Sequence, residues 1–191
     1  LEPLKEIEAD YIFITLTPAS PNAEGYQQIF VDGLPRILSN INTSKLKRIF
    51  FASSTSVYQQ AEHEWVNEQT EIAPSSYSGQ AVLKAEQILQ NSPAITDIGK
   101  TVLRFSGIYG PGRDRLLTMV RNGECAPKQP IFYSNRIHSE DCVGIVEHLI
   151  QQAEQGADLE NCYLCSDDLP VAIADVHQWL ADKLNTPYRY N

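Results

Sequence analysis

The stretch Arg48-Ile-Phe-Phe-Ala-Ser-Ser-Thr-Ser-Val-Tyr58 decides how the chain is read. Ile49, Phe50, Phe51 and Ala52 form a short unbroken apolar run behind the basic residues Lys45, Lys47 and Arg48. Such a run suits a central strand of a parallel sheet covered by helices on both faces. It ends in four hydroxyls, Ser53, Ser54, Thr55 and Ser56. Open α/β sheets bind ligands at the carboxyl ends of their strands, so these hydroxyls fall where chemistry is placed. Turns and helix caps use the same residue types, and the run alone does not separate the two uses.

Working outward from this strand, residues 9–17 read as a strand stopped by Pro18 and Pro21. From about Asn22 to Ile41, the residues Ile29, Phe30, Leu34, Ile37, Leu38 and Ile41 share one helical face, with Gly33 and Pro35 weakening the middle. Strand, helix and strand in this order predict a right-handed βαβ unit. Residues 59–75 are polar, with Trp65 as their only large anchor. Ser75 or Ser76 caps a helix to about Asn91, whose buried stripe is Ala81, Val82, Ala85, Ile88 and Leu89. Thr101 to Phe105 is the next strand, and Gly107-Ile-Tyr-Gly-Pro-Gly112 is the turn after it. A phosphate cradle is disfavoured there, because Pro111 removes a backbone donor and the next helix starts only near Asp114. A helix opening at Ser139 or Glu140, a strand at Cys162 to Cys165 and a helix over about 173–184 complete the readable part.

The chain has 191 residues, enough for one domain with a substantial core, and 42% of them are hydrophobic. A net charge of −9 opposes binding to nucleic acid or an anionic membrane, and any anionic ligand needs a locally basic pocket. No apolar run has the length of a membrane span, so a soluble, cytoplasmic protein is expected. Cys125, Cys142, Cys162 and Cys165 make no disulfide framework for a chain of this size. Cys162-Tyr-Leu-Cys165 looks like strand rather than a metal knuckle, so reduced thiols and no metal are expected.

Five segments, in order, resemble the extended and atypical short-chain dehydrogenase/reductases, the NAD-dependent epimerase/dehydratases. They are Phe51-Ala-Ser-Ser-Thr-Ser-Val-Tyr58, Ser78-Gly79 followed by Lys84-Ala-Glu86, Leu103-Arg-Phe-Ser-Gly-Ile-Tyr-Gly-Pro-Gly112, Arg136-Ile-His-Ser-Glu-Asp141 and Cys162-Tyr-Leu-Cys-Ser-Asp-Asp-Leu-Pro170. The resemblance implies an α/β, Rossmann-like parallel sheet with helices on both faces. It implies one domain over 1–191, with a core at about 9–110 and a small substrate-side part at about 111–191 interleaved with it. The family's Gly-rich turn, which seats the dinucleotide pyrophosphate on a helix N-terminus, is not in these residues. Leu1 is not a starting Met, and by this resemblance the chain enters the fold at its fourth strand. A sheet incomplete at the N-terminus is therefore expected, with the missing half belonging to a longer protein.

By the same resemblance the cofactor is NAD or NADP, held in an intact protein by Thr15, Leu16, Thr17, Ser53, Gly107 and Ile108. The catalytic candidates are Ser54, at the family's Ser position, and Tyr77. The family's Tyr moves a proton and is acidified from about 10 by a Lys four residues later. Counting back from Glu86, this chain has Ser78 and Val82 at those places, and Tyr77 lies one residue off, about 100° around the helix. Lys84 belongs to a solvated face. Tyr109, Arg113 and Arg136 are placed to meet a small-molecule substrate, the two arginines as cations for an anionic group. Arg136 is out of register with the epimerases' phosphate-binding Arg, and His138 is expected to be structural. Two readings follow: an oxidoreductase or epimerase acting on a small hydroxyl or carbonyl compound such as a sugar, or a non-catalytic dinucleotide-binding sensor or dimerising protein that has lost the Tyr/Lys pair. Either reading allows a homodimer through the helices at 22–41 and 76–91.

Overall fold

In a computed structural model, the described residues are 6–60 and 63–190. β1 (Ile7–Glu8) and β2 (Tyr11–Ile14) lead into α1 (Ala23–Tyr26), a π-helical stretch over Gln27–Gly33, and α2 (Leu34–Leu38). β3 (Ile41–Asn42) pairs with β1. β4 (Arg48–Ser54) follows, then α3 (Tyr77–Asn91), β5 (Gly99–Phe105), β6 (Gly107–Tyr109) and α4 (Arg115–Arg121). β7 (Tyr133–Ser134), β8 (Arg136–His138), α5 (Ser139–Glu154), β9 (Cys162–Cys165), β10 (Val171–Ala172) and α6 (Ile173–Lys183) complete the order.

The main sheet is parallel in the order β2-β4-β5-β9, with β4 paired to β5 along its whole length, Arg48 opposite Gly99 and Ser54 opposite Phe105. Alternation along β4 explains the two-sided packing. Ile49 and Phe51 enter one core with Phe30, Leu34, Leu38, Val82, Ala85 and Leu89 from the helices on that face. Phe50 enters the opposite core with Leu103, Phe105 and the α5 residues Val146 and Leu149. Ile49, Phe50 and Phe51 are fully buried, and each contributes about 1.5–3 kcal/mol through apolar burial. A third, smaller cluster of Val120, Cys125 and Ala181 joins α4 to α6. The four long strands expected from sequence are thus the four strands of the sheet, with helices on both faces as the α/β reading required. Among the described residues, no helix is long and apolar enough to cross a membrane.

Three local expectations are corrected. The helix at 22–41 is not one regular helix: it widens to π over Gln27–Gly33 before α2. Pro35 has no N–H and crowds the carbonyl four residues back, and the wider turn ahead of it relieves that crowding. Gly107 to Tyr109 is not only a turn, since it forms β6, parallel to β8, with Gly107 opposite Arg136 and Tyr109 opposite His138. Trp65 anchors nothing: it is 84% exposed. The polar segment around it is held by hydrogen bonds instead. The Tyr58 hydroxyl donates to the Asn67 carbonyl at 2.9 Å, and the Leu164 N–H donates to Glu68 Oε1 at 2.8 Å.

Candidate active site

The hydroxyls after the apolar run of β4 divide between interior and surface. Ser53 points inward, and its hydroxyl donates to Glu86 Oε1 of α3. Glu86 also receives Arg104 of β5 through Nε at 3.1 Å and Nη2 at 2.8 Å, a two-pronged pair whose members are both buried. Arg104 Nη1 donates to the Tyr58 hydroxyl at 2.9 Å, and the guanidinium lies over the Tyr58 ring. Burial works against the Arg104 charge, but the bonds to Glu86 outweigh it and hold the group above its ordinary pKa. Burial likewise raises the Tyr58 phenol, with Arg104 opposing. This network ties β4, α3 and β5 together beneath the strand ends. Ser53, expected beside a cofactor, is therefore committed to the interior.

Ser54, on the opposite side of the strand, is half-buried, and its Oγ accepts the Ser56 N–H at 3.1 Å to cap a short 3-10 turn at Thr55–Val57. The hydroxyl proton is not used by that bond. Gly79, in the first turn of α3, lets the helix approach this turn closely: an added Cβ would drive into the Ser56 carbonyl and sit 2.7 Å from Pro74 Cβ. Ser76 caps the helix by accepting the Gly79 N–H at 3.1 Å.

Tyr77 is 48% exposed; its hydroxyl donates to the Pro21 carbonyl at 2.8 Å and its ring meets Tyr26 edge-on. It thus closes the loop after β2 onto α3. Val82, the position that the resemblance aligns with the family's lysine, is buried in the core, while Lys84 is exposed. Ser78 Oγ lies 3.2 Å from Ser76 Oγ at the cap. The Tyr77 hydroxyl is thus spent on a backbone carbonyl. Thr15 and Thr17 are exposed just past β2, whereas Leu16 packs on the core.

On the β5 side, Gly107 and Arg136 come together. A Cβ on Gly107 would lie 3.5 Å from Arg136 Nη1, an ordinary contact distance that puts the guanidinium beside this segment. Ile108 packs into the core beside Phe105 and Ile137, and Tyr109, exposed, meets His138 edge-on at 5.1 Å. Gly110, at φ +134°, turns the chain where a Cβ would come within 2.9 Å of His138 Nε2. His138 caps α5 through Nδ1, 3.3 Å from the Glu140 N–H. Arg113 is exposed near the first turn of α5, where burial raises the Cys142 thiol and Arg113 opposes the rise. The arrangement therefore places Thr15, Thr17, Ser54 and Gly107 at the carboxyl ends of three adjacent parallel strands, with Arg136 and Tyr109 beyond them.

Burial pushes the Cys162 thiol up to about 11 and the Cys165 thiol up to about 12. In the unfolded chain these thiols ionise near 9, so above that pH the folded state keeps protons that the unfolded state releases, and stability falls as pH rises. Between pH 8 and pH 10 Cys165 alone accounts for a loss on the order of 1 kcal/mol. Urea unfolding midpoints of the protein and of Cys165→Ala at the two pH values check this, and equal pH slopes would contradict it.

The signal for the buried network was present in the sequence: Glu86 falls on the apolar stripe of α3, and Arg104 interrupts the apolar run Val102-Leu-Arg-Phe105. A charge at an interior position calls for a charged partner.

Comparison with known proteins agrees with this fold. The profile of the NAD dependent epimerase/dehydratase family matches residues 4–162. Protein YeeZ of Escherichia coli K12 is 31% identical over 150 residues, covering 78% of this chain and 52% of YeeZ. This chain thus spans about half the length of the curated relatives it matches. A solved Methylobacillus flagellatus protein assigned to the NAD-dependent epimerase/dehydratases shares 34% identity at a TM-score of 0.70, covering 88% of this chain and 59% of that one. At the level of fold alone, UDP-glucuronic acid 4-epimerase from Bacillus cereus, solved with NAD, superposes at a TM-score of 0.74 with 18% identity, covering 95% of this chain and 62% of that one. With the parallel sheet, the strand-end hydroxyls and a family match over most of its length, this chain belongs to the NAD-dependent epimerase/dehydratase family.

Proposed function

We propose that the intact protein binds NAD(H) or NADP(H) across the carboxyl ends of β2, β4 and β5 and holds a small hydroxyl- or carbonyl-bearing substrate beyond them. The observation that carries this reading is the alignment of Thr15, Thr17, Ser54 and Gly107 at the ends of three adjacent parallel strands. Those residues fit one side of a dinucleotide, which supplies hydride transfer when bound. Ser54 donates its free proton to the substrate oxygen, and Tyr109 and Arg136 hold the rest of the molecule. β2 presents an open edge with Phe13 41% exposed. In a protein of the relatives' length, a further parallel strand pairs there and brings the other half of the nucleotide site.

A second reading, a dinucleotide-binding sensor without turnover, is favoured by Val82 in the lysine's place and by Tyr77 bonded to Pro21. The surface between α2 and α3, lined by Pro35, Lys84, Ile88 and Pro93, is where a homodimer forms in either case. The four free thiols fit a reducing, cytoplasmic setting.

The test is a fluorescence titration with NADH and NADPH of the protein extended to the relatives' length, beside the 191-residue chain. Binding by the long form supports the proposal; no binding by either sinks it. With a substrate in hand, Ser54→Ala lowers kcat by about a hundredfold with little change in dinucleotide Kd, whereas Tyr77→Phe changes kcat by less than about threefold because its hydroxyl serves a backbone carbonyl. A large loss in Tyr77→Phe would overturn the assignment of Tyr77 as a loop clasp.

A further inference from the structure

The segment between α4 and β7 is tied down through its backbone. The Cys125 side chain is buried in the small cluster with Val120 and Ala181, and the Cys125 N–H donates to the Arg189 carbonyl at 2.9 Å. At Ala126 both backbone groups are taken: the carbonyl accepts the Tyr188 hydroxyl, and the N–H donates to His177 Nδ1 of α6 at 2.9 Å. Lys128 Nζ lies 5.3 Å from the centre of the Tyr188 ring. Beyond this clasp the chain enters β7 and then β8, which pairs with β6 and carries Arg136 and His138. The bonds at 125 and 126 therefore fasten the approach to the substrate side onto α6 and the tail that follows it.

One member of the clasp can change its charge near neutral pH. A carbonyl or amide oxygen would accept the Ala126 N–H at any pH, whereas an imidazole accepts it only while neutral. His177 is 2% exposed. With Nδ1 accepting, the ring proton sits on Nε2, which has no hydrogen-bond partner among the described residues. A second proton would set Nδ1–H against the Ala126 N–H, two donors facing each other, and would leave a buried cation with an acceptor on neither nitrogen. Burial first, and then the charge of Arg136 on β8, oppose that protonation. The other charged groups on the surrounding elements, Arg121 of α4, Glu124 and Lys128 of the clasped segment, Asp175, Asp182 and Lys183 of α6 and Arg189 of the tail, are exposed to solvent.

We infer that His177 is an acid-released latch: its neutral ring holds residues 125–128 against α6, and protonation frees that segment and loosens the chain leading into β7 and β8 while the four-stranded sheet stays folded. The cluster at Cys125 shares no buried residue with the two cores that flank the sheet, so the release is local. In the released form the ring takes up its proton at the ordinary value near 6.5, whereas in the closed form it resists. The latch is thus at full strength above that pH and weakens as pH falls below it, because the open form then binds more protons than the closed form. This device goes beyond the proposed function and needs neither dinucleotide nor substrate.

The test is amide hydrogen exchange, resolved by NMR, between about pH 7.5 and about pH 5.5. After correction for the intrinsic pH dependence of exchange, opening at Ala126 rises by about tenfold per pH unit below the ordinary histidine value while the closed ring stays neutral. The amides of Phe50 and Leu103 in the sheet do not follow. His177→Gln, whose Oε1 accepts the Ala126 N–H at any pH, keeps Ala126 protected and flattens the response. His177→Phe, with no acceptor, opens Ala126 by roughly tenfold already at the upper pH and is flat as well. If that variant does not fold, His177→Gln and the unvaried protein still decide. A flat Ala126 response in the unvaried protein overturns the latch, and so does a response that persists in His177→Gln. Opening of Phe50 together with Ala126 means global unfolding and overturns it too.

Discussion

Arg104→Met destabilises the protein by about 3–5 kcal/mol, because it leaves the Glu86 carboxylate buried without its cation. Of the Glu86 partners described, only the uncharged Ser53 hydroxyl remains in that variant. Glu86→Met destabilises by a similar amount, since it strands the guanidinium. The triple change Arg104→Met, Glu86→Met and Ser53→Ala recovers most of the loss, because apolar side chains of similar volume remove the desolvation cost together with the attraction. Urea unfolding at pH 7 reads all three, and the coupling between single and combined changes separates the pair from each residue's packing. If Arg104→Met costs less than about 1 kcal/mol, the pair is not the tie between β4, α3 and β5 described here. A second readout follows from position: Ser53 precedes Ser54, so a loosened network also frees the 3-10 turn that fixes Ser54, and amides 55–57 exchange faster in Arg104→Met.

Phe50→Ala comes next, with an expected loss of about 3–5 kcal/mol. Phe50 is fully buried in the central strand and is the residue of β4 that meets α5 through Val146 and Leu149. Its removal leaves a cavity between the sheet and one helix, and Leu103 and Phe105 on the neighbouring strand cannot move to fill it while β4 and β5 stay paired. Phe50→Leu, closer in volume, costs less than about 1.5 kcal/mol. Since a domain of this kind has about 5–15 kcal/mol in all, Phe50→Ala stays folded at 25 °C but loses the upper part of its thermal range. Faster amide exchange confined to α5, with α3 unchanged, would show that the two faces of the sheet respond separately; equal loosening of both would refute the two-core account.

The strands were legible because each is a short apolar run bounded by turn residues, and the two-sided core follows from alternation along β4. The π-widened helix was not, because apolar spacing at Ile29, Phe30, Leu34 and Leu38 fits either winding; only Pro35 and Gly33 marked the trouble. β6 and β8 escaped notice since a three-residue strand gains its order from a partner far along the chain, and Gly107 and Arg136 are 29 positions apart. The site was legible in its positions more than in its contacts. Ser54 and Gly107 stand at strand ends as family register implies, but nothing local distinguishes Ser53, turned inward to Glu86, from Ser54 beside it. His177 was invisible for a related reason: it reads as one polar residue on an amphipathic helix until Ala126 is seen to occupy one of its nitrogens.

The bond from the Leu164 N–H to Glu68 sets a direction on the sheet. β9 is an outer strand, and a carboxylate laid along an outer strand both consumes a donor and repels a second chain arriving to extend the ladder. β2, at the other margin, offers Tyr11–Ile14 with no such carboxylate bond among the described residues. Strand addition is therefore opposed at β9 and open at β2, the margin where the proposed further strand of a longer protein would pair.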